Sequence, residues 1–365
     1  MKIKHFGKYG SSMFLLDKYN DKRVLITGHT GFKGSWLSLM LFELGAKVTG
    51  YALDPVNSED HFNLIKLNEK IEDIRGDILD FNKLTKVFED FKPEIVFHLA
   101  AQTIVLESYQ NPKDTFDINV QGTVNILECC RNSNSVKACI IVTSDKCYEN
   151  KEWLWGYREI DRLGGKDPYS ASKACAEFVT YSYLTSFRQL NLASVRAGNV
   201  IGGGDWANNR IVPDCMRALI ANEPIIIRNP LSIRPWQHVL DALYAYLLLA
   251  IKLSEDKNTY QGVWNVGPNL DSMKTVEKLV EKVIFYWGKG KMKIEQKTNA
   301  NPEAKYLFLD TTKIKEILHW KPSWNFDESV FYTVEWYKNY QAGENMAEIS
   351  RDQIRKFLKG NGYEN

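Results

Sequence analysis

Val24-Leu25-Ile26-Thr27-Gly28-His29-Thr30-Gly31-Phe32-Lys33-Gly34 joins an apolar run to a helical pattern through three glycines at the spacing G-x-x-G-x-x-G. Val24–Thr27 reads as a buried strand, and Trp36–Glu43 reads as the helix that follows. Gly28 and Gly31 let the backbone turn tightly and approach a pyrophosphate, and Gly34 lets the helix pack closely on the strand. Phe32 and Lys33 belong to the same loop, and the helix N-terminus behind it favours an anion. Three glycines alone also mark ordinary turns. The order strand, loop, helix is what points to dinucleotide binding.

Outward from this loop the alternation continues. Lys47–Leu53, Glu94–Leu99 and Ala138–Thr143 read as further buried strands, with a helix-like stretch at Phe116–Arg131. Short apolar strands separated by helices imply an α/β fold, a doubly wound parallel Rossmann sheet covered on both faces. The texture changes after Gly202-Gly203-Gly204-Asp205, which reads as a turn; Asn229–Pro235 reads as a loop with two prolines. The helical stretch Thr275–Trp287 is ended by Gly288 and Gly290. A smaller, interleaved C-terminal lobe is therefore expected. It takes residues 205–235 and 267–350, leaving 1–204 and 236–266 to the dinucleotide-binding domain. Residues 1–20 precede the first strand as an arm, and the charged residues from Ile349 onward are expected to be peripheral.

Several residues fall where strands end, the side on which doubly wound sheets bind ligands. Asp54 follows the second strand and is the candidate for the ribose hydroxyls, about two places later than such an acid is expected. No Arg stands near it in the sequence to receive a 2′-phosphate, so NAD is expected over NADP. Asp77, with Ile78, follows the next strand and either accepts from the adenine amino group or caps a helix. Ala100-Ala101-Gln102 ends the fourth strand with small residues that would admit the cofactor.

Tyr169-Ser170-Ala171-Ser172-Lys173 is a Y-x-x-x-K pattern at the start of a helix, its two side chains on one face. An ammonium there can lower the phenol's pKa and make Tyr169 a base for a hydroxyl. By itself the pattern is common; its place downstream of the glycine loop gives it weight. Asp145 and Lys146 end the fifth strand, where a solvated turn and a ligand site are both open readings.

Bulk properties exclude some classes. Lys and Arg total 47 against 45 Asp and Glu in 365 residues, too balanced for a chain-wide nucleic-acid surface. A local basic pocket for a diphosphate remains open. Six cysteines without a C-x-x-C pair, mostly in apolar patterns, read as buried thiols in a reducing compartment, with no metal site expected. MKIKHFGKYGSSMF lacks the apolar core of a signal peptide, and the apolar run near Leu243–Ile251 is too short to span a bilayer. A cytoplasmic protein without membrane or nucleic-acid partners is expected.

TGHTGFKG, LAAQ, TSDKCYENKEWLWGYRE, YSASK, RAGNVIGGGDWA and IIIRNPLSIRPWQHV together resemble the CDP-glucose 4,6-dehydratases of the extended short-chain dehydrogenase/reductase family. The resemblance runs from about residue 22 to 340. It implies a Rossmann domain, a sugar-nucleotide lobe and a homodimer joined through helices, with a tetramer left open. It also implies that NAD is used and regenerated. Tyr169, assisted by Lys173, would take the C4-hydroxyl proton as hydride leaves C4, while Ser144 holds the same oxygen. Lys146 would take the C5 proton, Asp145 would protonate the departing C6 hydroxyl, and hydride would return to C6.

The resemblance also places Asn199 against the sugar or its phosphate. Arg228 and Arg234 flank a Pro-containing loop beside Trp236, where two guanidinium forks can clamp a diphosphate. Arg210 and Tyr306 are further candidates. Relatives acting on other nucleotides carry Thr-Asp-Glu where this chain has Ser144-Asp145-Lys146, and a Lys base must be neutral, which needs desolvation or neighbouring positive charge. A 4-epimerase or decarboxylase would keep Gly28, Tyr169 and Lys173 without needing Asp145 and Lys146 to expel water. A non-catalytic NAD-binding scaffold would tolerate loss of Tyr169 or Lys173; both are present.

Overall fold

Residues that alternate their burial between two faces build the central sheet. In the computed structural model, which describes residues 13–295 and 306–363, Val24 and Ile26 enter one apolar core and Leu25 the other. Ile140 and Val142 likewise oppose Cys139 and Ile141. Strands buried on both faces read as unbroken apolar runs, which is why they were visible in the sequence.

The strands are β1 (Arg23–Thr27), β2 (Lys47–Ala52), β3 (Glu72–Arg75), β4 (Ile95–His98), β5 (Ala138–Val142), β6 (Leu192–Ala197) and β7 (Gly262–Val266). They lie in the order β7-β6-β5-β4-β1-β2-β3, every pair parallel. The direction of winding reverses between β1 and β4, so the crevice for a ligand opens at their carboxyl ends.

The helix Phe32–Glu43 begins four residues earlier than the sequence indicated, directly at the glycine loop. Phe116–Arg131 belongs to a longer helical run interrupted by a π turn at Asp117–Gln121. Val239–Glu255 is buried almost all round, which explains its apolar run as a core helix. No helix among the described residues is long and apolar enough to cross a membrane.

Beyond the sheet, Ile233–Pro235 pairs antiparallel with Met273–Thr275, so the expected proline loop closes as a strand. Ile225–Ile227 pairs in parallel with Met292–Ile294. Helix Val276–Trp287 is capped by the Thr275 side chain, and Gly288 stops it at φ +92°.

The end of the chain departs from expectation. Met346–Gly360 is a helix that buries Met346, Ile354, Phe357 and Leu358, and its Ser350 hydroxyl bonds both His61 and Trp336. Arg351 reaches back to Glu43 at 2.8 Å. The segment is charged on one face only, and the spacing of its apolar residues outweighs its net composition. At the other end Tyr19 is buried and donates to the Leu247 carbonyl at 2.9 Å, so part of the N-terminal arm is docked.

Candidate active site

The glycine loop separates what the fold demands from what a ligand would demand. Gly28 has φ +77°, and a Cβ there would lie 2.7 Å from the Ala100 nitrogen. A Cβ on Gly34 would lie 2.1 Å from the Gly28 carbonyl oxygen, so the helix could not approach the loop. At Gly31 the nearest atom would be 3.4 Å away, an ordinary contact. The protein's own packing does not require glycine at 31; close approach of a pyrophosphate does. No side chain caps this helix, which leaves its first N–H groups for an anion. The cradle therefore fits a dinucleotide.

Toward the adenosine end, Thr30 donates to the Leu53 carbonyl at 3.0 Å, tying the loop to the end of β2. Asp54 follows and is exposed. Here the sequence was misleading: Arg75 stands 21 residues away along the chain, yet the pairing of Ala52 with Arg75 brings its Nε to 3.6 Å from the Asp54 carboxylate. Asp77 accepts from the Leu79 N–H at 2.9 Å, and Asp80 is the helix cap. Ile78 is buried, and its carbonyl accepts from Asn125. Ala100 and Ala101 are half-buried, whereas the Gln102 amide is already engaged with Thr115 and the Ile104 N–H.

The reaction centre forms where β5 ends. Ser144, Asp145 and Lys146 share one tight turn, and the Ser144 hydroxyl donates to Asp145 at 3.1 Å. Facing them, Pro168–Ser186 starts with Asp167 as cap and Pro168 in the first turn, which fixes Tyr169 and Lys173 on one side. The Tyr169 phenol faces that turn, close enough to feel Ser144 and Asp145. Burial pushes that phenol up to about 12, against the pull of Ser144 and Arg210. Burial pushes Lys173 down to about 8, with Glu177 and Cys147 opposing the shift. Burial also raises Asp145 above the usual carboxylate range, although Lys146, Ser144, Arg234 and Lys33 work the other way.

Lys33 follows Gly31 in the cofactor loop; burial lowers its amine to about 8, and the charges of Arg210, Asp145, Lys173 and Asp205 also bear on it. Arg210 is held by Asp205 at 2.9 Å and by Thr103 at 3.0 Å, close enough to feel Tyr169. The structure thus gathers Ser144, Asp145, Tyr169, Lys173, Lys33, Arg210 and Arg234. Lys146 is exposed at the rim, its amine 6.0 Å from the centre of the Tyr169 ring. Asn199 follows β6, and its carbonyl accepts from Gln237. Arg228 is exposed, and Tyr306 packs edge-on against Phe308. Among the described residues, neither is hydrogen-bonded or ion-paired to the Tyr169 group.

Two buried groups escaped the sequence reading. Asn119, in the π turn, donates to the Gln102 carbonyl at 3.0 Å and to Ser172 at 2.8 Å, welding the end of β4 to the Tyr169 helix. Helical periodicity gives no sign of a π turn, so nothing marked it. Glu177 and Arg196 form a fully buried pair at 2.7 Å beneath Lys173, and Glu177 also accepts from Thr143 and Ser194. Glu177 lies four residues after Lys173 on the same helix face, a spacing that was open to view.

Known proteins resemble this arrangement. A family model described as GDP-mannose 4,6-dehydratase matches residues 25–332. The chain is 46% identical over 354 residues to a CDP-glucose 4,6-dehydratase of Salmonella typhimurium, covering 94% of this chain and 99% of that protein. It is 27% identical to a UDP-glucose 4-epimerase of Mycoplasma genitalium, over 87% of this chain and 97% of the other. Among solved structures, a dTDP-glucose 4,6-dehydratase of Streptomyces venezuelae superposes with a TM-score of 0.77 at 21% identity, covering 89% of this chain and 99% of that one. An epimerase of Methanothermobacter thermautotrophicus superposes with a TM-score of 0.80 at 23% identity, covering 93% and 97%. At such identities the two structures attest the fold alone.

Proposed function

This chain belongs to the GDP-mannose 4,6-dehydratase family, and from that membership we propose that it converts CDP-glucose into CDP-4-keto-6-deoxyglucose and water with NAD as a recycled cofactor. The observation that carries the nucleotide is the 46% identity along almost the whole chain to a CDP-glucose enzyme. The reaction class is supported by Asp145 and Lys146 at the carboxyl end of β5, beside Tyr169.

Bound NAD supplies a hydride acceptor and a positive charge. The residues of the chain handle the protons. Tyr169 takes the proton of the C4 hydroxyl, Ser144 holds that oxygen, and Lys173 supports the phenolate from one helical turn below. Asp145, kept protonated by burial to a higher pH than an ordinary carboxyl, gives its proton to the C6 hydroxyl as water leaves. Lys146 removes the proton at C5, on the open side of the pocket where only substrate would cover it. Arg210, Arg228 and Arg234 supply charge for the diphosphate, with Asn199 and Tyr306 beside the sugar and nucleotide. The glycine loop, Asp54, Asp77, Ile78 and Ala100–Gln102 line the dinucleotide. Residues 205–235 and 267–350 form the sugar-nucleotide lobe, except that the last helix rests on the dinucleotide side. Buried free thiols suit a cytoplasmic setting.

Purified protein given a panel of nucleoside-diphosphate glucoses should remove one water from CDP-glucose, read by mass. Substrate deuterated at C4 should give product with deuterium at C6. Solvent hydrogen at C6, or a C4 epimer without loss of water, would overturn the dehydratase reading.

The chain pairs with a second copy through helices Val105–Gln110 and Pro168–Ser186, which pack together and leave Leu106, Tyr109, Phe178 and Tyr181 exposed. Apolar side chains on neighbouring helices mark a self-association face. Phe178→Glu with Tyr181→Glu should shift the mass seen by light scattering from dimer to monomer. An unchanged mass would place the interface elsewhere.

A further inference from the structure

Asp145 owes its place to the strand beside it. β5 and β6 pair in parallel with Val142 level with Val195, and the same register carried past the strand ends sets Asp145 beside Gly198. A Cβ on Gly198 would lie 2.9 Å from Oδ2 of Asp145 and 3.0 Å from Cγ of Pro235, well inside the separation at which non-bonded atoms attract. The backbone does not ask for glycine there, because Gly198 is outside the left-handed region. What needs the space is the carboxyl. Its Oδ1 accepts from the Ser144 hydroxyl at 3.1 Å, and among the described residues Oδ2 receives no hydrogen bond. The proton of the acid therefore belongs on Oδ2, the oxygen that faces Gly198.

Resting on the reading of Asp145 as the acid for the C6 hydroxyl, we propose that Gly198 is a positioning residue for elimination: its missing side chain makes the seat of Oδ2. In that step Lys146 takes the C5 proton, and the electrons of the C5–H bond form the C5–C6 double bond. The C6–O bond breaks, and the Oδ2 proton goes to the departing oxygen, which leaves as water. Hydride transfer at C4 moves no proton at C6 and does not use the seat. A methyl group at 198 is accommodated most easily by turning the carboxyl, the free end of a side chain, whereas at Gly34 the obstacle is the backbone carbonyl of Gly28. The fold then survives and the acid is misplaced. A misplacement of about 1 Å can cost roughly 10²-fold in rate.

Full-length Gly198→Ala, loaded with NAD and mixed with CDP-glucose, tests this, with Asp145→Asn and the double variant beside it. NADH absorbance should rise at the wild-type rate and persist, while loss of water, read by mass, slows by on the order of 100-fold. The midpoint of denaturant unfolding should stay close to the wild-type value. Added to Asp145→Asn, Gly198→Ala should slow elimination no further, because it acts only through the carboxyl. The descending limb of elimination against pH should move to lower pH in Gly198→Ala. A carboxyl turned out of its buried seat loses the desolvation that raises its pKa. Oxidation lost together with elimination, a lowered midpoint, a limb that stays in place, or a further loss in the double variant would make Gly198 a packing residue and overturn the proposal. Wild-type elimination by Gly198→Ala beside a stalled Asp145→Asn overturns the seat and leaves the acid reading intact. Wild-type elimination by Asp145→Asn would overturn both.

Discussion

Asp145→Asn is expected to oxidise CDP-glucose and then stop. Oxidation at C4 draws on Tyr169, Lys173 and NAD, and none of these is altered by the change. Asn keeps the shape and accepts a hydrogen bond from Ser144, which now reaches Asp145 at 3.1 Å, but has no proton to give the leaving hydroxyl. Loss of a general acid typically costs ~10²–10⁴-fold in rate, well beyond assay error. NADH absorbance should therefore rise on mixing and persist, with no water lost. Solvent deuterium should still enter C5. In Lys146→Met the absorbance should rise as well, but exchange at C5 should cease. The wild-type elimination step should decline as pH rises through the elevated pKa of Asp145, because the acid is active only while protonated. Wild-type turnover by Lys146→Met would reduce Lys146 to an electrostatic neighbour and send the search for the base to Lys33, whose amine, lowered by burial, feels Asp145.

Arg196→Leu is expected to give the largest loss of stability. Arg196 and Glu177 are both buried, and the guanidinium lies 4.7 Å above the Tyr148 ring. Burial alone would lower the Arg196 pKa; the Glu177 carboxylate outweighs it and holds the guanidinium above its ordinary range. Removing one partner of such a pair leaves an uncompensated charge and typically costs about 3–5 kcal/mol, against roughly 5–15 kcal/mol holding a whole domain folded. The midpoint of denaturant unfolding should fall accordingly. Thr143 and Ser194 depend on the same carboxylate, so the end of β5 loses its support and the rate should drop too. Replacing both residues by leucine should recover part of the lost stability. A midpoint unmoved in Arg196→Leu would mean that Glu177 is satisfied by the hydroxyls alone.

What could be read from the sequence follows the range of the interactions involved. The glycine loop, the turn at Ser144–Lys146 and the Tyr169–Lys173 spacing are local, and each was visible within a dozen residues. Arg75 was missed because strand pairing, not chain proximity, brings it to Asp54. Lys33 was assigned by its loop alone, and nothing local told of the charges of Asp145 and Arg210 that bear on its amine. The last helix was misjudged because charge was counted without its periodicity.

That last helix has a consequence for how the molecule is made. His61 stacks on Trp36 of the helix behind the glycine loop, and the imidazole is bonded to Ser350. During synthesis the helix behind the glycine loop therefore waits for a contact from a residue 289 positions after His61. A ribosome that has finished β1 through β6 has produced a sheet whose cofactor-bearing helix still lacks one wall. Domains generally fold as units from the N-terminus as they emerge, but here the glycine loop gains its full backing only after Ser350 has left the ribosome. A nascent chain stalled short of Ser350 carries every residue of the dinucleotide cradle without the clamp behind it.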